Sequence, residues 1–153
     1  MANESKTQAE PGSELADLAA LLGTVNRISY RLQRAAATLD AGLSVTDWLL
    51  LRSLSDEGRM EMAAAARKIG VTRQRVHQQT KPLAAAELIR LDEDKAIALT
   101  EKGAAAMKAL EESFEQTLSA GGAMPTAPLN GAKLATRRIL KAIAPKKAEA
   151  GDQ

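Results

Sequence analysis

The stretch Gly70–Leu83, "GVTRQRVHQQTKPL", sets two arginines, the only histidine, three glutamines and a lysine between alanine-rich neighbours. Gly70 and Val71 read as a tight turn. Thr72 then reads as a helix N-cap, because its hydroxyl can accept from the unpaired N–H groups of a first turn. Projected at about 100° per residue along 72–83, Val76 and Leu83 fall on one side, flanked by Gln79 and Thr80. Gln74, His77, Gln78 and Lys81 fall opposite, with Arg73 and Arg75 on the shoulders. One side is therefore expected to be buried, and the other is polar. Pro82 removes the hydrogen bond to the Gln78 carbonyl, so the pattern predicts a kink near Gln78 or a helix ending by Thr80.

Working outward, residues 61–69, "EMAAAARKI", predict a short helix before the turn, with "SDEGRM" (55–60) as a loop before that. After the central helix, "ELIRLDEDKAIALT" (87–100) places apolar residues on either side of a polar centre, which predicts a β-hairpin. A short helix, a turn, a capped helix and a small hairpin make a winged helix-turn-helix. The first helix braces the second, and the major groove of DNA is wide enough to admit one α-helix. Glutamine can bond adenine twice, while arginine and lysine suit guanine or phosphate. Residues 59–90 hold seven Lys/Arg and two Glu, a balance of +5 against +2 for the whole chain, so basic charge is concentrated around this helix. His77 fits either a base or phosphate contact or an exposed polar position.

The flanks are helical. Ser13 can cap a helix reaching to Asp40-Ala41-Gly42. Leu18, Val25, Leu32 and Leu39 recur every seven residues, with Leu15, Leu22, Ser29 and Ala36 three positions earlier. Two such lines make an apolar seam. It fits either a core helix or, the reading adopted here, a helix shared with a second subunit. Ser44 or Thr46 caps the next helix, which carries Val45, Trp48, Leu49, Leu51 and Leu54. Thr100 opens a helix to about Ser119 with Met107, Leu110, Phe114 and Leu118 on one side. A linker (121–128), a last helix (130–144) and a frayed tail complete the chain, and residues 1–12 read as a disordered lead.

Composition narrows the function. Hydrophobic residues are 45% but aromatics only 2%, so the core is thin and leans on a partner subunit for stability. Without cysteine there is no disulfide or thiol chemistry, and with one histidine a histidine zinc site is not expected. No nucleophile–base pair or phosphate loop is visible, so neither an enzyme nor a cofactor is expected. No apolar run approaches the ~18 residues of a membrane span. The first dozen residues carry no signal-peptide pattern, and a cytoplasmic location is expected. Residues 133–147 hold six Lys/Arg and no acid; a solvated helix face and tail is the simpler reading, contact with DNA backbone or a polyanion such as an acyl-CoA the other.

The stretches "LSVTDWLLLRSL" (43–54), "MAAAARKIGVTRQRVHQQTKPLAAAELI" (62–89) and "ALTEKGAAAM" (98–107) together resemble the MarR family, the multiple antibiotic resistance regulators. The likeness spans about residues 13–144. It implies a mainly α fold with a small β-hairpin, a winged DNA-binding lobe at about 43–100, and dimerisation helices at about 13–40 and 101–144. It implies a homodimer on a palindromic operator of double-stranded DNA, acting as a repressor. Small aromatic or lipophilic acids release many members, and the corresponding crevice would lie near Tyr30, Arg31, Arg34 and Trp48. The DNA-contacting set expected here is Thr72, Arg73, Gln74, Arg75, His77, Gln78, Lys81 and Lys95. The family wing carries an Asp-Arg-Arg-like segment. Here "DEDKAIALT" (92–100) offers Lys95 beside three acids, and phosphate repels an acidic tip. That departure supports an alternative, a winged-helix protein-interaction module that no longer reads DNA.

Overall fold

The computed structural model describes residues 13–120 and 126–144. The expected lead (1–12) and tail (145–153) lie outside the described residues. The elements are α1 (Ser13–Ala36), α2 (Val45–Glu57), β1 (Met60–Glu61), α3 (Met62–Ile69), α4 (Arg73–Ala85), β2 (Ile89–Leu91), β3 (Ala96–Leu99), α5 (Glu101–Ser119) and α6 (Thr126–Ile143). The chain divides into two units, Met1–Thr117 and Leu118–Gln153.

In the first unit, α2 begins on a complete capping box. Ser44 Oγ accepts from the Asp47 N–H at 3.0 Å, and Asp47 Oδ2 accepts from the Ser44 N–H at 2.9 Å. Leu50, Leu51 and Leu54 on its inner face meet Val76 and Leu83 from α4, Ile97 from β3, and Leu110 and Phe114 from α5. Each leucine so buried contributes about 2 kcal/mol before conformational entropy is subtracted. Trp48 closes one end of this core against Phe114, ring centroids 5.0 Å apart at 82°.

Several boundaries differ from those expected. The loop expected at 55–60 is partly helix: α2 continues to Glu57, supported by an Arg52–Asp56 pair at 3.3 Å, and ends where Gly58 turns at φ 78°. The helix expected from residue 61 starts at Met62, because Met60 and Glu61 pair with Ile97 and Ala96. The expected hairpin is thus a three-stranded antiparallel sheet, order β1-β3-β2, with Ile89 opposite Leu99 and Leu91 opposite Ile97. Two residues have no readable period, so β1 exists only through β3. Helix α1 ends at Ala36 rather than near Asp40, since the Thr38 hydroxyl donates to the Ala35 carbonyl at 2.7 Å and tighter turns follow. Helix α4 does not end by Thr80 but runs through Pro82 to Ala85. Pro82 lies on the exposed side, and buried Leu83 anchors the final turn. That turn is closed by the Leu88 N–H on the Leu83 carbonyl at 2.9 Å and the Glu87 N–H on the Ala84 carbonyl at 3.0 Å, with Glu87 left-handed at φ 61°.

The seam of α1 is split. Ala35 and Ala36 are buried and Leu32 is 9% exposed, but Leu15, Leu22, Val25 and Ile28 are about half exposed or more. In the second unit, α6 begins at Thr126, four residues earlier than expected, and Leu129, Leu134, Leu140 and Ile143 are all exposed. Among the described residues no helix is long and apolar enough to cross a membrane.

Candidate nucleic-acid interface

Helix α4 is held from behind. Gly70, left-handed at φ 74° and ψ 34°, caps α3, and the N–H groups of Gly70 and Val71 both reach the Ala66 carbonyl at 3.0 Å. The chain reverses there, and Thr72 caps α4 as expected, accepting from the Arg75 N–H at 3.1 Å. Val76, Gln79, Thr80 and Leu83 are buried, as the helical projection required.

Gln79 is the unexpected member. Its Nε2 donates to Asp47 Oδ1 at 3.0 Å, while its own Oε1 is buried without a partner among the described residues. Asp47 therefore serves two helices: one oxygen caps α2 and the other holds α4. Sequence reading placed Gln79 on the inner side but had no means of naming its partner, 32 residues away.

The outer side presents Thr72, Arg73, Gln74, Arg75, His77, Gln78 and Lys81, all exposed. Arg73, Arg75 and Lys81 form no ion pair among the described residues. Their positive charge is thus uncommitted. Arg73, Gln74 and His77 line an open groove of about 870 Å³ together with Glu61, Met62, Asp92, Asp94 and Lys95. The structure therefore places Lys95, expected from the wing, across this groove from the first two turns of α4.

The wing tip differs electrostatically from its sequence. Residues 93–95 form a three-residue loop that ends with Lys95 left-handed at φ 63°. The Lys95 N–H donates to the Asp92 carbonyl and the Asp92 N–H to the Ala96 carbonyl, both at 2.9 Å. Arg59, just before β1, binds Asp92 Oδ2 at 2.7 Å and also holds Asp94. Arg90 binds Asp92 Oδ1 at 3.3 Å. Arg59 was not among the expected site residues, because nothing local connects it to a loop some 33 residues away.

The four residues expected at an effector crevice divide. Tyr30, Arg31 and Arg34 are exposed on α1. Trp48 is half-buried, with its indole N–H donating to Glu111 Oε1 at 3.0 Å and its ring against Phe114. Glu111 also accepts from Arg52 at 3.2 Å. The polar edge of Trp48 is thus engaged within the protein.

A helix-turn-helix with a three-stranded wing, followed by a long helix and preceded by another, is the arrangement of several solved regulators. A MarR-family transcriptional regulator from Streptomyces coelicolor, Sco3205, solved in complex with DNA, superposes with a TM-score of 0.69 at 15% identity, covering 95% of this chain and 96% of that one. The fold is that of the MarR regulators. A MarR-family transcriptional regulator from Silicibacter pomeroyi gives a TM-score of 0.64 at 19% identity, covering 92% of this chain and 99% of the other. The transcriptional regulator BldR from Sulfolobus solfataricus gives 0.71 at 18% identity, covering 89% and 100%. The family model HVO_A0114 matches residues 42–101, essentially the winged lobe of the MarR fold. No curated protein matches in sequence.

Proposed function

We propose that this chain is a dimeric, sequence-specific DNA-binding transcriptional regulator that reads double-stranded DNA through α4. The observation that carries the reading is the outer side of that helix. It combines base-reading glutamines with cations that no acid of the described chain neutralises, at the end of a braced helix-turn-helix. Gln74, His77, Gln78 and Lys81 are assigned to base edges, and Thr72, Arg73 and Arg75 to the backbone. Lys95 faces the flanking strand from the wing.

The dimer has separate support. Leu15, Leu22, Val25 and Ile28 line the part of α1 that leaves the core, and water solvates such a row poorly. A second copy would cover it, and twofold symmetry would present two α4 helices to half-sites about 34 Å apart. A palindromic operator is the site that such a dimer would read, and repression by blocking transcription is the regulation we assign to it. The alternative, a protein-interaction module, drew on an acidic wing. With Arg59 and Arg90 on those acids, the wing lends it little. Effector release is not required by the proposal.

Selection of bound sequences from random duplexes tests recognition and symmetry together. A two-fold symmetric consensus is expected, with affinity falling steeply as salt rises. Arg73→Ala and Arg75→Ala should each lower the log–log salt slope by about 0.9. Gln78→Ala should shift the preferred base at one position of each half-site. Enrichment of no sequence would overturn the proposal.

A further inference from the structure

We propose that Arg59 is a positioning residue for DNA docking: it holds Asp92 and Asp94 so that their charge is not presented to the phosphate backbone. The inference rests on the DNA-binding reading above and names what adjusts that interface.

The geometry is specific. Both oxygens of Asp92 are taken, Oδ2 by Arg59 at 2.7 Å and Oδ1 by Arg90 at 3.3 Å. Both oxygens of Asp94 are also taken, Oδ2 by Arg59 and Oδ1 by the Ala96 N–H at 3.3 Å. Asp92 and Asp94 line the same groove as Arg73, Gln74 and His77. Any backbone strand passing between α4 and the wing therefore passes these carboxylates. At the tip, Asp92 and Asp94 are paired with Arg59 and Arg90, while Glu61 and Lys95 line the same groove. Arg59 reaches Asp92 and Asp94 from the segment just before β1. The contrast with α4 is sharp: there Arg73, Arg75 and Lys81 form no ion pair among the described residues, whereas Arg59 and Arg90 are bound to the wing acids.

Stability is a poor reason for this arrangement. Arg59 and Asp94 are half exposed or more, and such pairs contribute little to folding. Their effect on a polyanion is different. Within a Debye length, about 10 Å at 0.1 M salt, an uncompensated carboxylate acts directly on phosphate. Removing Arg59 leaves Asp94 without a cation and Asp92 with one in place of two. It does so on the surface where backbone charge must be accommodated.

The test is equilibrium binding of the full chain to its selected duplex at about 0.1 M salt. Arg59→Ala should weaken binding roughly tenfold. Asp92→Asn with Asp94→Asn, leaving Arg59 in place, should tighten it several-fold. All three substitutions together should return affinity to within about twofold of the parent. Were the triple variant as weak as Arg59→Ala, Arg59 would be touching DNA itself and the proposal would be wrong. It would also be wrong if the two asparagines changed nothing. Should Arg59→Ala prove unfolded by its thermal transition, the asparagine pair decides alone. If the parent chain binds no duplex in a salt-dependent way, it is the DNA-binding reading that fails.

Discussion

Replacing Gly103 by alanine sets two ordinary effects against each other. Gly103 lies in the first turn of α5, where alanine is worth at most about 1 kcal/mol over glycine by helix propensity. A Cβ there, however, would overlap the Leu88 carbonyl oxygen and stand 2.8 Å from Leu99 Cδ1 and 2.9 Å from the Leu88 carbonyl carbon. Carbon contacts are relaxed at about 3.5–4.0 Å, so the backbone at Leu88 must retreat by about an ångström. That backbone is held. Its carbonyl accepts from the Thr100 N–H at 3.2 Å, and the Thr100 hydroxyl donates to the Glu87 carbonyl at 2.6 Å. Losing both bonds costs about 2 kcal/mol, and the overpacking adds about 1–3 kcal/mol. Sterics should therefore win by about 2–4 kcal/mol, lowering the melting midpoint by about 10 °C. Calorimetry at matched protein concentration reads this directly. A Gly103→Ala protein as stable as its parent would refute the close approach of α5 to Leu88.

At Glu87 the sign reverses. Its φ of 61° is left-handed, so Glu87→Gly should raise stability by about 1 kcal/mol in urea titration, despite the general cost of glycine. Asp47→Ala removes an α2 cap and the partner of buried Gln79. It should cost about 2–3 kcal/mol, and Asp47→Asn less, because its carbonyl can still accept from Gln79; a loss below about 1 kcal/mol would show that α4 is not held there. Hydrogen bonding to Arg59 holds the Asp94 carboxyl below its ordinary value of 3.8. Its stabilising contribution is therefore present above that value and disappears as pH falls through the lowered one. Carboxyl-carbon NMR should show Asp94 titrating abnormally low, and Arg59→Ala should move it back up.

Local chemistry was legible in the chain because its causes lie within a few residues. Thr72 and Thr100 cap helices since a hydroxyl needs only the N–H groups of the next turn. The period of 3.6 residues divides α4 into Val76 and Leu83 within and Arg73, Gln74, His77 and Gln78 without. The interrupted helix-turn-helix and its basic charge follow from that same short-range order. Tertiary contact alone settled the rest. Strand β1 has only two residues and needs β3 to exist. Pro82 is tolerated because the last turn of α4 is anchored by Leu83 and closed by the backbone beyond it. Asp47 and Gln79, like Arg59 and the wing acids, are some 30 residues apart along the chain. Periodicity carries no information about which distant charges meet. The electrostatic character of the wing is therefore a property of the folded surface: the composition of its loop reads acidic, and in the fold Asp92 and Asp94 are paired with Arg59 and Arg90.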